Sequence, residues 1–180
     1  VEITSQCDLD CPVCLVDAAG DWGMAPREFA AILDSIILAE RQVDVLNLSG
    51  GEPLLHPGLL ALVDEALARP EIVRVSVSTN GLAFLGNPAL LAALHERNVV
   101  ISLQFDGFDD RAYEILRGRR LLDVKLRILD LLEAEGISTS LTMTAARGVN
   151  DDQFRPMLDY LFSHDHVVSL MVQPLAFTGR

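Results

Sequence analysis

Val1-Glu-Ile-Thr-Ser-Gln-Cys7-Asp-Leu-Asp-Cys11-Pro-Val-Cys14 runs a short strand-like segment straight into three cysteines spaced C-x3-C-x2-C. Three thiolates in one loop can converge on a single metal centre. Structural zinc ordinarily takes four ligands, often as two separated pairs. The chain's imidazoles, His56, His95, His164 and His166, stand at no zinc-finger spacing. Three thiolates suit a four-iron, four-sulfur cluster with one iron left open to an outside ligand. Three buried free cysteines, or a zinc site, are the plainer alternatives. No other cysteines occur. An odd, clustered set is a poor disulfide framework and points to a reducing, cytoplasmic compartment.

The same arrangement, a strand followed at once by glycine or polar residues, recurs along the chain. Strand-like runs cover 1–6, 43–49, 72–78, 99–105, 137–144 and 167–173. Their near-continuous Val, Ile and Leu content predicts a parallel sheet covered on its faces. Between them, 26–41 has apolar residues at helical spacing, and a helix opens at Pro57 and ends at Pro70. Asn87-Pro88 is an N-cap and first-turn pair. A short helix over 111–116 precedes a long one over 121–135 that Gly136 closes. Asp151 or Asp152 is the expected cap of a last helix through Phe162, with Pro156 near its start. Six strands with helices between them predict an α/β fold with right-handed crossovers, as an open doubly wound sheet or a barrel. Both architectures collect their sites at the C-terminal ends of the strands.

Those ends carry the remaining motifs. Ser49-Gly50-Gly51-Glu52-Pro53 follows the second strand; paired glycines let a ligand approach the backbone, or simply make a turn. Ser78-Thr79-Asn80-Gly81 follows the third, where Asn-Gly is first a turn signal and its polar groups are also ligand donors. Gln104-Phe105-Asp106-Gly107 ends the fourth, placing an amide and a carboxylate where both can face one cavity. Arg117-Gly118 follows the short helix, and a guanidinium clamps a carboxylate with two hydrogen bonds. Thr142-Met143-Thr144, Arg147-Gly148-Val149-Asn150 and Gln173-Pro174-Leu175 mark the last two strand ends. His164-Asp165-His166 reads as a polar helix end rather than a metal site. A cysteine triplet in register with three polar loops favours one shared cavity.

The chain has 180 residues, which fits one domain, and half are hydrophobic. A net charge of −12 disfavours a nucleic-acid partner, which needs a basic face. No apolar run reaches the ~18–20 residues of a membrane span. The chain opens on Val1 without a methionine and stops at Gly179-Arg180, so residues 1–180 are read as a core domain within a longer protein.

Cys7-x3-Cys11-x2-Cys14, with Gly50-Gly51-Glu52-Pro53 after the next strand, resembles the radical S-adenosylmethionine (SAM) superfamily across essentially the whole chain. The resemblance implies a partial (β/α)6 barrel of parallel strands, its sixth helix missing or beyond Arg180. It implies a 4Fe-4S cluster on Cys7, Cys11 and Cys14, with SAM chelating the fourth iron. The backbone of Gly50, Gly51 and Glu52, held by Pro53, would receive the SAM amino group. Ser78, Asn80 and Gln104, beside Asp106, would meet the ribose or carboxylate, Arg117 would steady the carboxylate, and Thr144 and Leu175 would flank the adenine. The residue before the third cysteine, often aromatic in that superfamily, is Val13, which leaves the adenine a backbone contact there. Reductive cleavage of SAM would give a 5′-deoxyadenosyl radical that takes a substrate hydrogen, with a ferredoxin or flavodoxin as reductant. Cys11-Pro-Val-Cys14-Leu-Val-Asp-Ala, Leu103-Gln-Phe-Asp-Gly107, Leu116-Arg-Gly-Arg119, Met143-Thr-Ala and Gly148-Val-Asn-Asp151 resemble a molybdenum-cofactor-biosynthesis-like subgroup that includes tetraether lipid synthase. That likeness implies a small-molecule or lipid-like substrate and carbon–carbon bond formation at an unactivated carbon. A non-catalytic iron–sulfur or SAM-binding module and a structural zinc α/β protein are the competing readings.

Overall fold

The computed structural model describes residues 1–14 and 20–176. Residues 15–18 of the subgroup stretch and the final Gly179-Arg180 therefore lie outside the described residues. Within them, β1 Glu2–Thr4, β2 Leu46–Gly50, β3 Val75–Thr79, β4 Val100–Gln104, β5 Thr139–Ala145 and β6 Val167–Pro174 form one sheet. Every neighbouring pair is parallel and the strand order is the chain order. Right-handed crossovers between consecutive parallel neighbours place each connecting helix on the same side of the sheet. A doubly wound sheet needs a reversal of strand order; this sheet has none, so the architecture is the partial barrel.

The helices are α1 Pro26–Glu40, α2 Leu59–Leu67, α3 Pro88–Glu96, α4 Asp110–Arg117, α5 Leu122–Ala134 and α6 Phe154–Ser163. Asn87 caps α3 by accepting from Leu90 N at 3.1 Å, and Gly118, at φ 76°, ends α4. Neither Asp151 nor Asp152 caps α6, contrary to the sequence expectation. Both lie in a 3-10 turn that precedes it, and Asp151 accepts from Gly148 N instead, at 2.9 Å. Pro156 is the third residue of α6, where a backbone N–H has no helical acceptor to lose.

The strands are less uniformly apolar than the sequence suggested. Leu48, Val77, Ile101, Leu103 and Leu141 are fully buried, each worth about 1.5–3 kcal/mol of transfer free energy. The residues alternating with them are Asn47, Ser76, Ser78, Ser102 and Thr142. Ser76 and Ser78 donate to Asn47 Oδ1 at 2.8 and 3.1 Å, and the Ser102 and Thr142 hydroxyls meet at 3.0 Å. Helices cover one face; small polar side chains line the other. None of the described helices is long and apolar enough to cross a membrane.

His164 and His166 behave differently at the far end of α6. His164 donates from Nδ1 to Tyr160 O at 2.9 Å and stacks on the Tyr160 ring, the polar helix end expected from sequence. His166 is buried, and among the described residues neither of its ring nitrogens finds a hydrogen-bond partner. Burial lowers its pKa, against a weaker opposing pull from Glu133. The folded protein thus binds this proton more weakly than the unfolded chain does. Stability is complete above the ordinary histidine value of about 6.5 and falls as pH drops through the lower folded value. His166→Phe should raise stability at pH 7 by about 1 kcal/mol and flatten the loss on the acid side. Urea unfolding at pH 5 and pH 7 checks both; an unchanged acid slope would count against this account.

Candidate functional site

The C-terminal strand ends are tied to one another by buried polar groups. The glycines after β2 meet the end of β1: Gly51 N donates to Thr4 O at 2.8 Å and Glu52 N to Gln6 O at 2.6 Å. Gly50 has φ 136°, and a Cβ on Gly50 or Gly51 would lie 2.2 Å from the Thr4 or Gln6 carbonyl oxygen. Their lack of side chains lets the cysteine loop leave β1 against β2.

Glu52 turns its carboxylate inward. It is 1% exposed and accepts from Leu54 N (3.0 Å), Thr79 Oγ1 (2.6 Å) and Asn80 N (2.7 Å). Burial raises its pKa, and these three hydrogen bonds pull the other way. Pro53 opens the short 3-10 turn behind it. Asn80 then reaches back across the ring, donating from Nδ2 to Asp8 Oδ1 at 2.6 Å and accepting from Leu82 N at 2.8 Å. Ser78 is paired with Asn47 on the polar face.

Asp106 is the centre of the other half. Fully buried, it accepts from Arg117 Nε (2.7 Å) and Nη2 (2.9 Å), from Thr144 N (3.0 Å) and from the Gln104 amide. Arg117 also donates to Thr144 Oγ1 at 2.9 Å, and its positive charge stands close enough to Cys11 to oppose the rise in that thiol's pKa. The arginine does clamp a carboxylate, but that carboxylate is the protein's own. Leu175, half-buried, donates its N–H to Ala145 O at 2.8 Å, which sets it beside Thr144 at the ends of β5 and β6.

Lys125, Tyr113 and Asn150 complete the ring. Lys125 on α5 is fully buried and donates to Asn80 O (2.6 Å), Gln104 O (2.8 Å) and Gln104 Oε1 (2.8 Å). Burial pulls its pKa down to about 7, yet three oxygens at this range require the three donors of an ammonium. Buried Tyr113 donates to Gly107 O at 3.0 Å; burial, then the charge of Asp106, pushes its phenol well above the usual range. Asn150 donates to Asp106 O and Thr144 O, both at 2.9 Å. The sequence reading missed Lys125 and Tyr113. Lys125 had a signal: it falls three and four residues before Ile128 and Leu129 on the buried stripe of α5. Asn150 was visible only as part of a loop motif.

Cys7 and Cys11 are half-buried and Cys14 is exposed, all as thiols. Burial raises the pKa of Cys7 and of Cys11, and Arg117 opposes it at Cys11. Among the described residues, no three Cys, His, Asp or Glu side chains stand as the ligands of one metal ion. Around a four-iron cube each thiolate holds its own iron, so the sulfurs stand further apart than the ligands of a single ion. Soft thiols at this spacing, which give up their protons to a bound cation, fit that group. Surface clefts of about 440 Å³ beside Arg74, His95 and Ile137, and about 450 Å³ beside His56 and Leu90, lie away from the cysteine loop.

The sequence pattern of the Radical SAM superfamily matches residues 1–161, and the chain belongs to that superfamily of enzymes, whose cofactors are a 4Fe-4S cluster and SAM. It is 30% identical over 187 residues to the 7,8-dihydro-6-hydroxymethylpterin dimethyltransferase of Methanocaldococcus jannaschii, covering all of this chain and 36% of that one. It is 29% identical over 177 residues to the GTP 3′,8-cyclase of Chlorobaculum tepidum, covering 97% of this chain and 53% of that one. These relatives agree with the molybdenum-cofactor-biosynthesis-like subgroup. The chain spans between about a third and about half of their length. The fold is similar to Streptococcus suis SuiB bound to precursor peptide SuiA, with TM-score 0.78 and 16% identity over 97% of this chain and 38% of that one. It is also similar to anSMEcpe with bound AdoMet, with TM-score 0.71 and 18% identity over 97% and 50%.

The close contact at Gly51 makes a strong prediction. Gly51→Val must push the Gln6 carbonyl, and with it the cysteine loop, so both stability and iron content should fall. A loss of about 1–3 kcal/mol is the usual result of such overpacking. Thermal melting and iron per chain after anaerobic reconstitution test it; full iron content with only weakened SAM binding would mean the glycine serves the ligand instead.

Proposed function

We propose that this chain is the SAM-cleaving core of a longer radical enzyme, with Cys7, Cys11 and Cys14 as the cluster ligands. The observation that carries it is the triple attachment of the cysteine loop. That loop is held by hydrogen bonds from Glu52 N to Gln6 O and from Asn80 to Asp8, and by the attraction of the Arg117 charge for Cys11. When bound, the reduced cluster and SAM supply the electron transfer and the 5′-deoxyadenosyl radical that takes a substrate hydrogen atom; the protein positions them and excludes competing reactions. Arg117 places a fixed positive charge against Cys11, favouring its thiolate. Because its fork is engaged by Asp106, its part toward SAM is electrostatic as much as direct. Gly50, Gly51 and Glu52 offer the SAM amino group main-chain carbonyls, Ser78 faces the polar side of the sheet for the ribose, and Thr144 with Leu175 forms the adenine edge. Asn80 and Gln104, whose polar atoms are engaged within the protein, hold this cavity's walls.

The subgroup motifs support a lipid-like substrate with carbon–carbon bond formation. The polar sheet face and the pterin and GTP in the relatives' names support a polar heterocycle instead, and we favour the heterocycle. A ferredoxin or flavodoxin would supply the electron, in the cytoplasm.

Full-length protein reconstituted anaerobically and reduced should hold at least four irons per chain, about four of them lost in Cys11→Ala, and convert SAM to methionine and 5′-deoxyadenosine. Cys11→Ala should lose the cluster of the Cys7–Cys14 loop, while His164→Ala should match wild type in iron. One zinc without sulfide would establish the structural-metal alternative. A reduced cluster whose spectrum ignores SAM would establish the non-catalytic one. Adding pterins, purine nucleotides or lipid extracts should raise 5′-deoxyadenosine yield for one class alone.

A further inference from the structure

Lys125 occupies a place where a leucine would pack without desolvating a charge. It sits on the apolar stripe of α5 with Ile128, Leu129 and Leu132, and is itself 0% exposed. Burying an ammonium is unfavourable unless every donor is used. Here all three are used, and all three acceptors belong to the ends of two adjacent strands. Asn80 directly follows β3 and Gln104 is the last residue of β4, so the ammonium staples those ends together.

The third bond has a further consequence. An ammonium has only donors, and an ionised carboxylate has only acceptors. Gln104 lies between one of each, with Lys125 on one side and Asp106 on the other. Its amide therefore has a single orientation, with Oε1 toward Lys125 and Nε2 toward Asp106. Asp106 in turn holds the Arg117 fork, and Arg117 reaches Cys11. A line of donors and acceptors thus runs from the middle of a helix through Lys125, Gln104 and Asp106 to Arg117, whose charge stands beside Cys11 of the cysteine loop.

We propose that Lys125 is a positioning residue for the SAM site, acting through Gln104 to fix the Asp106–Arg117 pair at the cysteine loop. The inference rests on the SAM-binding reading above. It adds that the affinity of that site is set from α5, by a side chain that itself touches no cofactor.

The test measures SAM affinity by the change SAM makes in the electron paramagnetic resonance spectrum of the reduced cluster, in full-length, cluster-loaded protein. Lys125→Met, Gln104→Met and the double variant are compared at equal iron content. Each single variant should weaken SAM binding about tenfold, the scale of one lost and one orphaned hydrogen-bonding group. The double variant should be no weaker than either single, because both remove the same link. Wild-type affinity in both single variants, or strictly additive losses, would overturn the inference while leaving the parent reading intact. Failure of wild type itself to bind SAM would instead overturn the parent reading. Should Lys125→Met not fold, Gln104→Met decides alone, since it leaves both main-chain bonds of Lys125 in place; undiminished SAM binding in that variant overturns the inference.

Discussion

The Asp106 carboxylate has no access to water, and the strand ends and α4 are arranged to supply it with donors. A buried, unpaired carboxylate would cost several kcal/mol. Asp106 avoids this with hydrogen bonds from two Arg117 nitrogens, the Thr144 main chain and the Gln104 amide. Each donor comes from a different element. Arg117 stands on the last turn of α4, Thr144 on β5 and Gln104 on β4. Satisfying one carboxylate therefore fixes how α4 folds back over the sheet and how the ends of β4 and β5 align. Gly118, in the left-handed conformation, turns the chain away once Arg117 is in place, and a Cβ there would lie 3.6 Å from the Pro12 ring of the cysteine loop.

Glu52 does for β1, β2 and β3 what Asp106 does for β4, β5 and α4. Its partners are neutral, two backbone N–H groups and one hydroxyl, so burial leaves its pKa raised rather than depressed. The two halves meet at Asn80 and Gln104, the residues bridged by Lys125. Remove the carboxylates and the strands would still pair, since their ladders are independent of the loops. What would be lost is the relative position of loops that share few apolar contacts. A small cluster of Leu9, Tyr113 and Leu121, with Leu82 and Leu122 beside it, packs against Cys7 and Cys11 and gives the cysteine loop apolar support.

Much of this was legible in the sequence, and the reasons are local. Strands were visible because Val, Ile and Leu recur in short runs, and each motif sat where a strand stops. The strand order was not legible, because periodicity says nothing about which strands pair; both a reversing and a sequential order fit the same runs. The polar face was hidden for a related reason. Asn47, Ser76 and Ser102 are interspersed among strong β-formers, so the runs read as continuous. The Asp106–Arg117 pair could be guessed as two charged residues near one rim, but sequence does not say that they bind each other rather than a ligand. Lys125 was overlooked although its spacing put it on the buried stripe, because a lysine on a helix is ordinarily solvated.

The global charge and the local charge of this protein point in opposite directions, and the difference bears on what the rim can hold. At −12 overall, the chain repels anions at long range, but such fields are screened within about 10 Å in ordinary salt. At the rim the charges that matter are buried ones. Arg117 and Lys125 stand against Asp106 and Glu52, so the buried set is close to neutral before any thiol ionises. Three thiolates add three negative charges, and a cluster returns positive iron to the same loop. Arg117, already beside Cys11, stabilises that half-buried thiolate without moving. A rim whose buried groups are charge-balanced and hydrogen-bonded to one another has little to reorganise when a zwitterionic ligand arrives, and the energy such rearrangement would consume remains available for holding the ligand in one orientation.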